Sequence, residues 1–574
     1  MTYRARPVAK RRRSEGWDSD ERRTALINGG FILAIVASVL ILVGYGGWSW
    51  YSDHWGTAAT VDDVTLTRDQ LRTEIAIETF RTKYAEGRIQ DLLTAGHLGQ
   101  QDAAQELSYL DQQLGQIGGI ALENLIDTTL QAKLANDDGI TVSDADIDAQ
   151  LTKEATLTEQ RHVWMIEVEP SVDPVSGQVG DAQKAAAKQK AEDALAQLKA
   201  GKSWDDVAKT VSTATSAPQA GDLGWLTKDS GYEAGFMTAV FAAQLNAPTD
   251  VVVGSDGTAR IGRVSEITPA SVDQAYTVKI EDAGISLADY RAAARSAVIT
   301  DKLTDKVVAD LSKPGPERHV LQIYLPESST ATADSVKVRE ILFAPNNDPA
   351  GAKDLAADDP AWQAAKDEAF AAYHDLQLDP SKFDLYARTK SDDSGTKDQG
   401  GKMPYEDRTS SLDPAFANAI FGTGLRQFEI LAPVKTAFGW HVIQFMHRYG
   451  DGDEAWLTDL ETRANAGIDF GQLARDNGEG PEAKDAGDIG WVAKGQLDPQ
   501  QEDVIFSTAV GSVSDPLTIS GDGTYLFKVL AEETRTPDAD QIEAFKSSGF
   551  TNWYQAQKDK ATITREAAST SLGQ

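Results

Sequence analysis

The chain has 574 residues, 41% hydrophobic and 25% charged, a composition of folded material in a chain too long for one hydrophobic core. A dense basic cluster opens a sequence whose formal net charge is −33, so the acidic body is excluded as a nucleic-acid-binding surface. No cysteine is present, which removes disulfides, thiol nucleophiles and cysteine-based zinc sites together.

Residues 1–24 form a basic tail, expected in the cytoplasm. Residues 25–47 read "ALINGGFILAIVASVLILVGYGG", uncharged and long enough to cross about 30 Å of hydrocarbon. Such a run is either a spanning helix or a signal peptide. Its length and the aromatic "GGWSWYSDHW" that follows favour an uncleaved transmembrane helix over 25–50. Arg4, Arg6, Lys10 to Arg13, Arg22 and Arg23 all precede it. The positive-inside rule then places the N-terminus in the cytoplasm and the bulk of the chain outside a single-pass cell-membrane anchor.

Residues 60–158 carry apolar positions recurring at three and four, a helical region with Thr67 as an N-cap and a further helix starting at Ser143 or Asp144. The character then changes. Over 159–270 the order is strand ("RHVWMIEVEP"), helices, the turn "GDLGW", a short helix bearing phenylalanine, and a closing hairpin. Residues 271–317 read as a helical linker or part of the helical domain. The strand-helix-turn order returns over 337–448 with "GGKMP" and over 454–533 with "GDIGW", an internal repeat of about 100 residues.

The third copy lacks an opening strand, and "RHVLQIYLPE" at 318–327 has no other use. The expectation is that the second copy is inserted between the first strand and first helix of the third. Residues 538–565 read as a closing amphipathic helix docking on the helical domain.

The three copies resemble the parvulin-type peptidyl-prolyl isomerase domain. The whole chain resembles a membrane-anchored foldase of the PrsA, SurA and PpiD kind. That resemblance implies an α+β chain: one N-terminal transmembrane helix, a helical chaperone domain, and three parvulin-like repeats, each an antiparallel four-stranded sheet with helices. It implies unfolded or nascent exported polypeptides with X-Pro segments as partners, no nucleic acid, no cofactor and no metal.

X–Pro rotation breaks no covalent bond, and its barrier of about 18–20 kcal/mol is lost amide resonance. A catalyst needs an apolar pocket for the ring and a few polar groups favouring the twisted amide. The resemblance places that pocket in the second repeat at Leu412, Phe416 and Phe421 of "LDPAFANAIF". It places the polar set at His441 of "TAFGWHVIQF" and Asp393 of "SDDSG", with Glu340 of "VREIL" where the family carries a first-strand histidine. The first repeat departs further. His162, Phe236 and Phe241 fit, but Tyr232, Ala214 or Thr213, and Arg260 replace family residues. In the third, Leu497 and Phe506 remain, Gln501 and Tyr525 are replacements, and His319 would be its first-strand histidine. At most one repeat is expected to be active. The alternative is a non-catalytic holdase or an envelope scaffold.

Overall fold

The computed structural model describes residues 36–47, 51, 54–171, 173 and 179–566. The basic tail 1–24 lies outside them, as does much of the expected span at 25–50. Residues 36–47 are helical, with Leu40, Ile41 and Leu42 exposed. Among the described residues no helix is long and apolar enough to cross a membrane.

The helical body begins with the hairpin Thr57–Val61 and Val64–Thr67. The helix Arg68–Ala95 follows because the Thr67 hydroxyl accepts the Gln70 amide at 3.3 Å and the Gln70 side chain accepts the Thr67 amide at 2.8 Å. Ser143 starts the helix Asp144–Ala155 with the same reciprocal pair, using Asp146. The helix Leu287–Leu311 packs Tyr290, Ala294 and Val298 against Ile77, Phe80 and Ile147, so residues beyond the first repeat complete the core of residues before it.

The C-terminal segment departs from one continuous helix. It runs as helix Ala539–Ala544, a π-turn at Phe545–Gly549, helix Phe550–Lys558 and then a strand, Ile563–Arg565, paired antiparallel with Thr57–Val61. Alternating Thr and Ile after the Asp559 to Ala561 turn suit an edge strand better than another helical turn. Tyr554 packs into the Leu71, Leu122 and Ile126 cluster, and its hydroxyl donates to Asp127 at 2.9 Å.

A two-stranded pair, Thr156–Leu157 with Ser271–Val272, and three larger sheets follow, all antiparallel. The first of the larger sheets has the order Asp222–Thr227, Gln160–Val168, Ala259–Thr268, Val252–Val253. In another, Gly315–Pro326 pairs with Asp488–Ala493 on one side and Gly523–Arg535 on the other, with Leu517–Ile519 outermost. Between the first two of those segments in sequence lies the remaining sheet, Val336–Phe343, Trp440–Arg448 and Val434–Lys435. It has three strands, not the expected four. The fourth place is held by isolated bridges at Lys402 and Glu406, flanking Pro404, which has no N–H to donate.

The two crossings into and out of this inner sheet run side by side. The Tyr449 amide donates to the Ser335 carbonyl at 3.0 Å, and a Cβ on Gly450 would lie 2.6 Å from the Ala333 carbonyl. The ends of the intervening segment are thereby adjacent, so the outer sheet closes across it.

Candidate active site

One glycine sets the register of each opening strand. Gly221, Gly401 and Gly487 have φ of +81°, +80° and +74°, and a Cβ on each would sit 1.9, 2.1 and 2.1 Å from the carbonyl of Met165, Glu340 and Gln322. The same three glycine carbonyls accept the amides of Met165, Glu340 and Gln322 at 2.7, 2.8 and 2.7 Å. Only glycine combines that backbone angle with that approach. Met165, Glu340 and Gln322 are therefore equivalent positions.

This corrects the reading of two histidines. His162 and His319 lie three residues before the position that Glu340 marks. His162 sits 5.6 Å from the Trp225 ring with Nε2 3.3 Å from Asp222, and His319 stacks on Trp491 at 5.4 Å with Nε2 2.9 Å from Asp488. Both are strand residues that brace the Gly-Asp-x-Gly-Trp turns.

In the second repeat, His441 opposes Leu342 in the strand pairing and reaches diagonally to Glu340. Its Nδ1 hydrogen-bonds Glu340 Oε2, and its Nε2 lies 2.8 Å from Thr436 Oγ1. The carboxylate can only accept, so Nδ1 carries the hydrogen of that bond, and Thr436 Oγ1 is the partner that holds Nε2. The ring meets the Phe416 ring edge-on at 5.1 Å and 76°. Glu340 and His441 are 6% and 5% exposed, so the pair works in a low-dielectric setting.

Phe416 and Phe421 are buried in one cluster with Val336, Val338, Ile443 and Phe445, and half-buried Leu412 packs on its edge. The helix Pro414–Ile420 holds Phe416 because Asp413 caps it, accepting the Ala415 amide at 2.8 Å, with proline at its first position. The Asp413 carboxylate also accepts the Ala437 amide at 3.3 Å, which ties the pocket helix to the turn before His441.

Five of the six expected residues thus come together. Asp393 is engaged elsewhere: its carboxylate accepts the Gly395 amide at 3.0 Å and the Thr396 hydroxyl, closing its own loop. Thr436 escaped the sequence reading although it opens the stretch containing His441. Its signal was the Gly439 four residues before Ile443: a Cβ there would lie 2.4 Å from the Phe343 carbonyl, so the turn folds tightly back and lays Thr436 against the ring.

The other repeats carry different pairs at the same two positions. In the first, Met165 stands at the Glu340 position, while Arg260 at the histidine position donates to Glu167 at 2.7 Å. In the third, Gln322 and Tyr525 stand there, and Tyr525 stacks on Tyr324 at 4.7 Å.

A basic seam joins the inner sheet to the outer one. Arg339, 2% exposed, donates to Asp476 at 2.7 Å and to Gln444 at 2.7 Å, with its guanidinium over the Phe383 ring. Lys337 pairs with Glu479 at 2.7 Å, and Lys402 donates to the Gly478 carbonyl at 2.7 Å. Burial pulls the Lys402 ammonium down to about 8.

One family model of the PPIC-type peptidyl-prolyl isomerase domain matches residues 341–447 and 454–531, and a second model of the same description matches 155–265. The chain belongs to the PPIC-type, or parvulin, peptidyl-prolyl isomerase family. It is 40% identical over 93 residues to the foldase protein PrsA of Latilactobacillus sakei, covering 16% of this chain and 30% of that protein. It is 23% identical over 342 residues to the chaperone SurA of Nitrosospira multiformis, covering 52% and 73%. The chain thus spans under a third of the first relative and about three quarters of the second. The crystal structure of PrsA from Bacillus subtilis, 19% identical, covers 43% of this parvulin chain and 90% of its own, with a TM-score of 0.15, too low to compare domain arrangements.

Proposed function

We propose that this parvulin chain is an extracytoplasmic, membrane-anchored foldase. It acts as a chaperone for exported or envelope proteins and speeds X–Pro isomerisation in the second of three parvulin repeats alone. The observation that carries the reading is the buried Glu340, His441, Thr436 chain set edge-on to Phe416. A histidine held between a carboxylate and a hydroxyl is fixed in tautomer and orientation, and the phenylalanines beside it offer the apolar seat for a proline ring. Neither flanking repeat has such a pair, which restricts the activity to one site.

In this reading the second repeat is nested in the third, as the adjacent crossings at Ser335 and Tyr449 favour. Residues 60–158, the 271–317 helices and the C-terminal segment form the chaperone body. The uncharged run at 25–47 behind its basic tail supports anchoring with the bulk of the chain outside the cell membrane.

A second reading, a holdase without turnover, is favoured by the burial of Phe416 and His441, at 4% and 5% exposure. Isomerisation of a proline tetrapeptide by the full chain separates them. Acceleration that disappears in His441→Ala supports the enzyme; a rate no faster than buffer leaves the holdase.

A further inference from the structure

The third repeat keeps an open cleft where the second has its buried pair. Its volume is about 610 Å³, within the roughly 300–1,000 Å³ of ligand pockets. Gln322, Leu497, Gln501 and Tyr525, which stand at the positions of Glu340, Leu412, Phe416 and His441, all line it. The cleft is therefore the family's substrate position with its chemistry exchanged.

The exchanged groups define a ligand. Tyr324 and Tyr525 are stacked, and both hydroxyls donate to the Asp522 carboxylate, at 3.2 and 2.7 Å. Burial and that carboxylate push both phenols upward, so they stay neutral. Stacked aromatic faces suit a proline ring or an extended apolar residue. The Gln322 amide nitrogen donates to Glu482 at 3.3 Å, which leaves its carbonyl, and with the Gln501 amide it can meet a planar peptide bond but gives no preference to a twisted one. Such groups bind ground state and transition state alike, which yields affinity without turnover.

Charge fixes the flanks. The ionisable groups of the lining apart from the two tyrosines are Glu482, Asp488 and Asp522, all acidic. The cleft shares Glu482, Asp488 and Gln496 with an adjoining trough of about 800 Å³, whose walls add Asp256, Asp485, Asp538 and Asp540 against Lys184 and Lys484.

We propose that the third repeat is a non-catalytic binding site for an extended, lysine- or arginine-flanked X–Pro segment of a client chain. This rests on the reading of residues 315–326 and 454–533 as a degenerate parvulin repeat.

The test is fluorescence anisotropy of the full-length chain with a labelled Ala-Lys-Ala-Pro-Lys-Ala peptide and its glutamate counterpart. The lysine peptide is expected to bind at least tenfold tighter. Glu482→Lys combined with Gln501→Lys is expected to lose that binding at least tenfold, with melting temperature and tetrapeptide isomerisation unchanged; Gln501→Lys alone serves if the double variant misfolds. Equal binding of the two peptides, or full binding by a folded cleft variant, overturns the proposal. So does binding lost in Phe416→Ala but kept in the cleft variant, which places the peptide in the second repeat. Cleft-dependent binding in a chain without isomerase activity supports this site and overturns the catalytic reading alone.

Discussion

Glu340 and His441 meet diagonally: in the antiparallel pairing His441 opposes Leu342 and Glu340 opposes Ile443, yet the carboxylate and the ring are hydrogen-bonded at 6% and 5% exposure. The consequence is a histidine whose second nitrogen is committed to Thr436. Replacing Glu340 by Gln keeps the shape and removes the charge. A hydrogen bond to a charged group contributes about 1.5–3 kcal/mol, so isomerisation is expected to fall roughly 10- to 100-fold. Thr436→Val should also slow it, with less effect on folding. Wild-type rates in Glu340→Gln would remove the carboxylate from the mechanism.

Arg339 is predicted to be the bolt of the seam between the inner and outer sheets. Asp476→Ala leaves its guanidinium buried without its anion, and breaking one side of a buried pair costs about 3–5 kcal/mol. Thermal melts and limited proteolysis are expected to show the 336–448 segment loosening from its host. An unchanged melt would mean that Gln444 and Phe383 hold the guanidinium unaided.

His447 supplies a pH dependence. It is 4% exposed, stacks on Trp456 at 4.8 Å, and its Nε2 makes no hydrogen bond, the Asp453 carboxylate being 3.9 Å away. Burial pulls its pKa down to about 4, while the unfolded chain titrates near 6.5. The unfolded state then binds the proton first. Stability from this group is present above about pH 6.5 and is lost as pH falls through about 4, amounting to about 2 kcal/mol at pH 5. His447→Phe should flatten the acid limb of the stability profile by that amount. Parallel profiles for wild type and variant would refute it.

Two glycines make a matched pair for backbone strain. Gly401 and Gly424 have φ of +80° and +78°, but a Cβ on Gly401 would overlap the Glu340 carbonyl whereas one on Gly424 meets nothing within 4 Å. Gly424→Ala should cost about 1–2 kcal/mol, the left-handed penalty alone. Gly401→Ala should cost clearly more and slow isomerisation, because it displaces the strand carrying Glu340. Equal losses measured by denaturant unfolding would show that the strand moves aside freely.

Much of the local structure was legible in the chain. Thr67 and Ser143 cap helices because hydroxyl and side-chain acceptor sit three residues apart, a relation written in sequence. The recurring glycine turns and the phenylalanine-bearing helices marked the repeats, and the fitted positions of "LDPAFANAIF" and "FGWH" led to Phe416, Phe421 and His441, which do converge.

What tertiary structure alone decided is register and partnership. A strand's period of two says which residues share a face but not which of them faces a given glycine across the sheet. His162 and His319 therefore fitted the family's first-strand histidine by motif, in repeats expected to be inactive, until the Gly221 and Gly487 hydrogen bonds placed Met165 and Gln322 at that position instead. Asp393 stood in a fitting motif, yet its own loop amide and hydroxyl claimed its carboxylate. The strand at 563–565 depends on an edge supplied some 500 residues earlier, at Thr57–Val61. Local propensity acts over a few residues, whereas these outcomes depend on hydrogen bonds whose partners are chosen only when distant segments pack.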